Sequence, residues 1–346
     1  MARIAFVACN KRADRYLQDP SFVYRCMNLA HGIKALGHEV WSGHLSALPW
    51  TQRWDVLVLH RPRATWRFRA TLTWLRHRGT KVLADVDDLI MDPAQAVYSP
   101  GVVNGLVDLA TTQRQFAAHL EALSCMEGIS VSTTPLAEEV RRILPGTKVA
   151  VVPNAVHHNW RGLPPLLPRS SAKVMTYLPG TRSHDRDFAK LVPALERVLH
   201  RHADAQLRVT GPLNFALNAR KEQLVHQAKL PFEQYHHCFE GAAINLAPLE
   251  DSPFTRCKSA LKVMEAAWWN VPTVCSNLPD AIRFDGAGAL RASSDKDFEE
   301  HLEYLLGNDE ALNAQSEGLR ERVLPLADVM KTSSTWQAFA LEQVQA

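Results

Sequence analysis

The sequence predicts an α/β protein made of two domains, each with a parallel β-sheet. The chain has 346 residues, which is long enough for two domains of ordinary size. In both halves, short apolar runs alternate with amphipathic helical segments, which is the pattern of strand–helix–strand units. A stretch rich in proline, glycine and serine over residues 161–171 separates the halves and indicates a linker. We therefore expect domains over residues 1–160 and 172–325.

Composition restricts the class of protein. Hydrophobic residues make up 46% of the chain and charged residues 22%, which is typical of a globular protein with a sizeable core. The net charge of +3 does not favour nucleic acid as a partner. The six cysteines are scattered without a Cys-x-x-Cys pair, so we expect reduced thiols in a cytoplasmic protein.

Basic and aromatic residues alternate in one segment, residues 61–81. Such a stripe could lie against an anionic membrane surface. It could equally be the solvated side of a helix whose aromatic residues face the core. The pattern alone leaves both interpretations open.

The segment 254–276 is predicted to contain the main binding element. Leu261, Met264 and Trp268 recur at helical spacing and form an apolar face. Lys258 stands at the predicted helix start, where unpaired backbone amides favour an anion. Glu265 lies roughly 10 Å further along the axis. A diphosphate at the first turn would thus place an attached ribose near Glu265, although a simple ion pair on a solvated helix face gives the same spacing.

A second candidate site is the end of the strand that begins at Lys81. This strand runs into Asp85, Asp87 and Asp88, and ligands bind at the carboxyl ends of strands in open α/β sheets. Crowded carboxylates should repel one another and raise at least one pKa, producing a candidate base. The same carboxylates could instead stabilise positive charge on a substrate, hold Mg²⁺, or cap the next element.

The loop after the first strand of the second half is also rich in candidate ligands. Gly180 and Thr181 permit a close approach to phosphate, and Arg182 and His184 can donate charge-assisted hydrogen bonds. An ordinary capped loop between strand and helix is the alternative.

Taken in order, these segments resemble two-domain glycosyltransferases of the GT-B fold, and among them the bacterial enzymes related to family 4. The resemblance is carried by Pro248–Leu249, Lys258–Ser259, Glu265–Ala267 and Val271–Val274, with Gly180–Phe188 upstream. It implies two Rossmann-like domains facing a central cleft, and a terminal helix, residues 326–346, that returns to the first domain. The chain departs from the family at Cys257, where relatives carry an acidic residue.

The resemblance also implies a function. The protein should transfer a sugar from a nucleotide-sugar donor to a glycan or lipid-linked acceptor, with retention of configuration, in bacterial surface polysaccharide synthesis. No cofactor and no metal ion are expected. Contact with the inner membrane would be peripheral. The expected donor-binding residues are Gly180, Thr181, Arg182, His184, Lys258, Ser259 and Glu265. The expected catalytic residues on the acceptor side are His60, Asp87 and Asp88.

Two other functions remain open from the sequence. A nucleotide-sugar epimerase could share the fold but would need a second catalytic set. A catalytically degenerate GT-B subunit could bind or scaffold a partner enzyme. Such a subunit would not need Lys258 or Glu265, so the two residues distinguish it from an enzyme.

Overall fold

The computed structural model describes residues 1–9, 12–166 and 173–342. The last five residues of the predicted linker, residues 167–171, lie outside the described residues. Within these ranges, twelve β-strands form two six-stranded sheets in which every pairing is parallel. The strands are β1 Arg3–Ala8, β2 Glu39–His44, β3 Val56–His60, β4 Lys81–Val86, β5 Ile129–Val131, β6 Val149–Val151, β7 Lys173–Tyr177, β8 Ala205–Thr210, β9 Leu224–Gln227, β10 Ala242–Ala247, β11 Thr273–Ser276 and β12 Ala289–Ala292.

Strand order defines where ligands can bind. The first sheet has the order β2-β1-β3-β4-β5-β6 and the second the order β12-β11-β10-β7-β8-β9. In each sheet the strands that follow the first strand, β1 or β7, are added on one side of it, and later strands are then added on its other side. Open parallel sheets bind ligands at such switch points, beyond the carboxyl ends of the strands. The predicted fold class, two Rossmann-like domains with parallel sheets, is confirmed.

Helices cover both faces of each sheet. They are α1 Pro20–Phe22, α2 Asn28–Ala35, α3 Trp66–His77, α4 Pro100–Val103, α5 Leu109–Leu123, α6 Thr134–Ile143, α7 Asp185–Arg201, α8 Pro253–Arg256, α9 Leu261–Trp268, α10 Asp295–Gly307, α11 Asp309–Ser316, α12 Leu319–Val323 and α13 Val329–Leu341. A π-helical turn, Val23–Met27, joins α1 to α2. Because both faces of the sheets are covered, central strands such as β3 are buried at every residue.

The predicted helix start at Lys258 is wrong. The chain forms α8, breaks, and resumes as α9. Ser252 and Thr255 form a capping box at the start of α8. At the break, the Ala260 amide donates to Asp280 Oδ2 at 2.8 Å instead of to a helical carbonyl. Lys258 therefore lies on the turn between two helices, and not on one helical face with Glu265.

The last helix, α13, packs on the first domain, although it follows the second in sequence. Trp336 is fully buried, and its ring centroid lies 5.0 Å from that of Phe6 in β1. The Lys81 ammonium donates to the Ala340 carbonyl at 2.8 Å. Gly32 in α2 is required at this crossing, because a Cβ there would collide with Ser333. The chain thus passes from the first domain to the second and back.

No helix in the described ranges is long and apolar enough to cross a membrane. All six cysteines are free.

Candidate active site between the two sheets

A cavity of about 590 Å³ lies between the carboxyl ends of the two sheets. Both domains contribute to its wall. Lining residues from the first domain include Ser21, Tyr24, Arg61, Asp87, Asp88 and Asn154, and those from the second include Gly180, Thr181, His184, Lys258, Ser259 and Lys262. This is the position predicted by the strand order.

The first-domain wall is an arginine clamped between two carboxylates. Arg61 follows β3 and donates from Nε to Asp87 Oδ1 at 2.7 Å and from Nη2 to Asp88 Oδ2 at 2.7 Å. Its φ of 48° is left-handed, a conformation that costs energy for a non-glycine residue. The backbone is therefore held in a strained state that directs the guanidinium to both acids.

Behind this wall, four side chains form a hydrogen-bonded chain. Ser21 Oγ donates to Asp87 Oδ2 at 2.6 Å and lies 2.9 Å from His60 Nε2. His60 Nδ1 lies 3.3 Å from Asp85 Oδ1. Because the single proton of Ser21 goes to Asp87, the Ser21 oxygen faces His60 Nε2 as an acceptor, and the Asp85 carboxylate faces Nδ1 as an acceptor on the other side of the ring. His60 is fully buried and does not line the cavity, so it can act there only through Ser21.

The expected rise in the pKa of a clustered carboxylate is wrong for Asp85 and Asp87. Burial by itself raises the pKa of Asp87, but Arg61, His60, the Ser21 hydroxyl and Arg25 outweigh it and lower the pKa to about 2. Burial also opposes ionisation of Asp85, yet Arg25 and His60 hold its pKa well below the usual value.

Asp85 belongs to the core and not to the cavity. Arg25 and Asp85 are both 1% exposed and form a two-pronged ion pair, with Nη2 2.7 Å from Oδ2 and Nε 3.0 Å from Oδ1. Ser130 donates to the same carboxylate at 2.6 Å. A fully partnered buried ion pair of this kind fixes the ends of the strands that carry the acidic wall.

On the second-domain wall, the loop after β7 contributes Gly180, Thr181 and His184. Gly180 has a φ of +75° with open space where a Cβ would be, so its backbone can approach a ligand closely. His184 Nδ1 is held by Asp187 Oδ2 at 2.8 Å, which leaves Nε2 as the nitrogen that a ligand could engage. Arg182 does not line the cavity. Its side chain is 56% exposed and pairs with Asp185 at 3.5 Å.

The turn between α8 and α9 contributes Lys258 and Ser259. The Lys258 ammonium pairs across the cleft with Asp88 Oδ1 at 3.0 Å. Ser259 Oγ accepts from Asn154 Nδ2, also across the cleft, at 2.9 Å. Both predicted donor-side residues are therefore present in the cavity, and both contact the first domain.

Glu265 lies behind the cavity wall. It is 2% exposed and is absent from the cavity lining. Its Oε1 accepts from the Tyr24 hydroxyl at 2.9 Å, and its Oε2 accepts from the Tyr235 hydroxyl at 3.1 Å. Lys262 Nζ lies 3.5 Å from Oε2. The carboxylate is thus satisfied by protein groups, and Tyr24 stands between it and the cavity.

The structure brings together seven of the ten predicted site residues in the cavity lining and leaves three outside it: His60, Arg182 and Glu265. Sequence reasoning missed Arg61, Ser21 and Tyr24 as parts of the site. Arg61 had a signal, since it directly follows a buried strand. Ser21 and Tyr24 had none, because they reach the site through tertiary packing.

The acidic cluster already has cationic partners. Asp85 pairs with Arg25, Asp87 with Arg61, and Asp88 with Arg61 and Lys258. Among the residues that the structure describes, no group of three or more His, Cys, Asp or Glu side chains could hold a metal ion.

Known proteins resemble this chain in part of its sequence and in its fold. Residues 186–333 match a family model described as glycosyl transferase-like. No functionally curated protein matches the chain. Among solved structures, sucrose-phosphate synthase from Thermosynechococcus elongatus is similar with a TM-score of 0.62 and 12% identity, covering 100% of this chain and 98% of that one. HepE of Anabaena, solved with UDP-glucose, is similar with a TM-score of 0.60 and 11% identity, and both chains are fully covered.

A third relative is much longer. S. aureus TarM, solved with fondaparinux, alpha-GlcNAc-glycerol and UDP, is similar with a TM-score of 0.59 and 11% identity. The alignment covers 82% of this chain and spans only 55% of TarM. The predicted resemblance to glycosyltransferases of the GT-B fold is confirmed: the chain shares the fold of these structures, and residues 186–333, most of the second domain and the first part of α13, match the glycosyl transferase-like family model.

Proposed function

We propose that the protein transfers a sugar from a UDP-sugar to a glycan or lipid-linked glycan, with retention of configuration, in the synthesis of bacterial surface polysaccharide. The observation that carries this proposal is the cavity itself, which places a lysine, a histidine and a glycine loop opposite an acidic wall. The choice of UDP is supported by the neighbours TarM, HepE and GtfA, each solved with UDP.

In this proposal the second domain holds the donor. The Lys258 ammonium and His184 Nε2 would bind the diphosphate and stabilise it as negative charge develops on the leaving group. Gly180 and Ser259 would allow and orient the close approach of phosphate oxygens. Glu265 would accept hydrogen bonds from the ribose hydroxyls after its bonds with Tyr24 and Tyr235 are broken. Arg182, which points to solvent, would contribute only long-range charge.

The first domain would hold the acceptor and support the reacting sugar. Since the pKa of Asp87 is about 2, this carboxylate is ionised at neutral pH and is a weak proton acceptor. It is therefore suited to stabilising positive charge on the sugar ring. Asp88 would orient the acceptor hydroxyl. His60 would be a positioning residue that holds Ser21, and through it Asp87.

Calorimetric titration with UDP, GDP, ADP, dTDP and CMP tests the donor assignment. We expect UDP to bind wild type and Lys258→Ala to weaken it about tenfold or more, since a charge-assisted contact is lost. Arg256→Ala is the matched control, because this exposed arginine lies two residues away, pairs with Asp251 and does not line the cavity. A UDP affinity that Lys258→Ala leaves unchanged would contradict the assignment of the diphosphate site.

The stereochemical proposal has a separate test. Wild type incubated with a UDP-sugar and an acceptor should give a product whose anomeric configuration, read by NMR, matches that of the donor. An inverted product would overturn the retaining mechanism and leave the donor site unaffected.

We also propose a cytoplasmic protein that contacts the membrane peripherally. The support is α3, where Trp66 is 72% exposed with the Arg67 guanidinium 5.1 Å from its ring centroid. Phe68 and Leu72 on the same helix are buried, so only part of the aromatic stripe is available. Sedimentation with anionic vesicles, comparing wild type with Trp66→Ala, tests this: binding that Trp66→Ala does not weaken would contradict it.

A further inference from the structure

Side chains of the first domain contact the residues of the second domain that are proposed to bind the donor. Three contacts cross the cleft within one short segment of the second domain. The Asp88 carboxylate binds the Lys258 ammonium at 3.0 Å. The Asn154 amide binds Ser259 Oγ at 2.9 Å. The Tyr24 hydroxyl binds Glu265 Oε1 at 2.9 Å.

The chemistry of two of these contacts matches that of a ribonucleoside diphosphate. The Asp88 carboxylate forms an ion pair with the Lys258 ammonium, as a phosphate oxygen would. The Tyr24 hydroxyl donates a hydrogen bond to one oxygen of Glu265, and the Tyr235 hydroxyl donates to the other at 3.1 Å. Two hydroxyl donors on one carboxylate are the arrangement that the two hydroxyls of a ribose would make.

We propose that Tyr24 and Asp88 are intramolecular substitutes for the donor, so that UDP-sugar binding must exchange these bonds for its own and separate the two domains at this edge. The inference rests on the proposed donor site at Lys258 and Glu265. It makes Tyr24 and Asp88 determinants of donor affinity, because UDP can bind only to molecules in which these two contacts are broken. The smaller that fraction of molecules is, the higher the apparent dissociation constant of UDP becomes.

Tyr24 is the more informative of the two. It lies in the π-helical turn Val23–Met27, a type of irregularity often found at functional sites. Its ring packs edge-on against Phe232 of the second domain, with centroids 5.6 Å apart. Tyr24→Phe keeps this packing and removes only the hydroxyl on Glu265. Because the change is neutral, it does not alter the electrostatic attraction of UDP to the cavity.

The test is calorimetric titration of UDP into wild type and Tyr24→Phe. We expect Tyr24→Phe to bind UDP about tenfold more tightly, since the occupied state loses one hydrogen bond to a charged acceptor while the UDP-bound state loses none. Tyr98→Phe is the matched control: this tyrosine is in the first domain and 42% exposed, and its affinity should equal that of wild type.

Asp88→Asn is the second variant, which keeps the inference testable even if Tyr24→Phe does not fold, and it too should tighten UDP binding. If wild type binds UDP and both variants bind it equally or more weakly, Tyr24 and Asp88 are structural contacts and the inference is wrong, while the proposed function stands. If wild type and every variant fail to bind UDP, the proposed donor site fails and the inference fails with it.

Discussion

Asp87 shows how the site controls charge at the scale of one residue. Its carboxylate accepts from Arg61 at 2.7 Å and from Ser21 at 2.6 Å, within a wall from which much of the water is excluded. Both bonds favour the ionised form, and the nearby Arg25 adds to them.

The low pKa of Asp87 predicts a pH-dependent loss of stability. A carboxylate whose pKa is about 2 in the folded state and about 3.8 in the unfolded state stabilises the protein fully above pH 4. That contribution, about 2 kcal/mol, should be lost as the pH falls from 4 to 2. Urea unfolding of wild type and Asp87→Asn across this range should show curves that converge at low pH. The exposed Asp14→Asn is the control, and parallel curves for Asp87→Asn would contradict the prediction.

The sequence could place Asp87 and Asp88 but not their partners. A buried strand followed by acids locates carboxylates at a sheet edge, and both residues line the cavity. Two of the cations that lower the pKa of Asp87 are Arg61, at the end of β3, and Arg25, in the π-helical turn before α2. Tertiary packing brings them close to Asp87. The expected rise in pKa was therefore wrong in direction for Asp85 and Asp87. The ribose role of Glu265 remains a prediction. The contacts of its carboxylate with two tyrosine hydroxyls have no signal in the sequence, because they arise from tertiary packing.

At the scale of one element, α8 is a small helix that belongs to both domains. It lies in the second domain by sequence, yet Phe254 is 4% exposed and packs in the hydrophobic core cluster of the first. Next to it, the Thr133 hydroxyl at the start of α6 donates to the Cys257 carbonyl at 2.8 Å. These contacts hold the turn that carries Lys258 against the first domain.

Truncating Phe254 should therefore weaken the contact between the domains. We expect Phe254→Ala to lower the free energy of unfolding by about 3 kcal/mol, because a buried aromatic ring leaves a cavity. The measurement is urea unfolding, with Ile282→Ala as control because Ile282 is 54% exposed. A loss below about 1 kcal/mol would mean that α8 is not firmly packed.

The prediction of elements succeeded where the signal is local: the strand predicted to begin at Lys81 is β4, Lys81–Val86. A helix start can also be fixed locally, as at α5, where the Asp108 carboxylate accepts from the Thr111 amide at 2.8 Å. The break between α8 and α9 could not be predicted from the sequence. It depends on Asp280, which lies 20 residues away and accepts from the Ala260 amide.

At the scale of the whole molecule, α13 completes the first domain. Trp336→Ala should cost about 3 to 5 kcal/mol, because it empties a fully buried site beside Phe6. Hydrogen exchange of the Trp336→Ala variant should show lost protection in β1 and α2 of the first domain. The second domain, although closer to Trp336 in sequence, should keep its protection. Tyr304→Ala, at a residue that is 56% exposed, is the control. Loss of protection confined to the second domain would contradict the packing described here.

The position of α13 has a consequence for how the protein is made. A ribosome releases the amino-terminal part of a chain first, and domains generally fold in that order. Here the face of β1 and α2 that Trp336 covers must stay exposed while the whole second domain is synthesised. The first domain is thus begun early and completed only after the second domain has been synthesised. Nascent chains truncated before α13 should present that apolar face to chaperones.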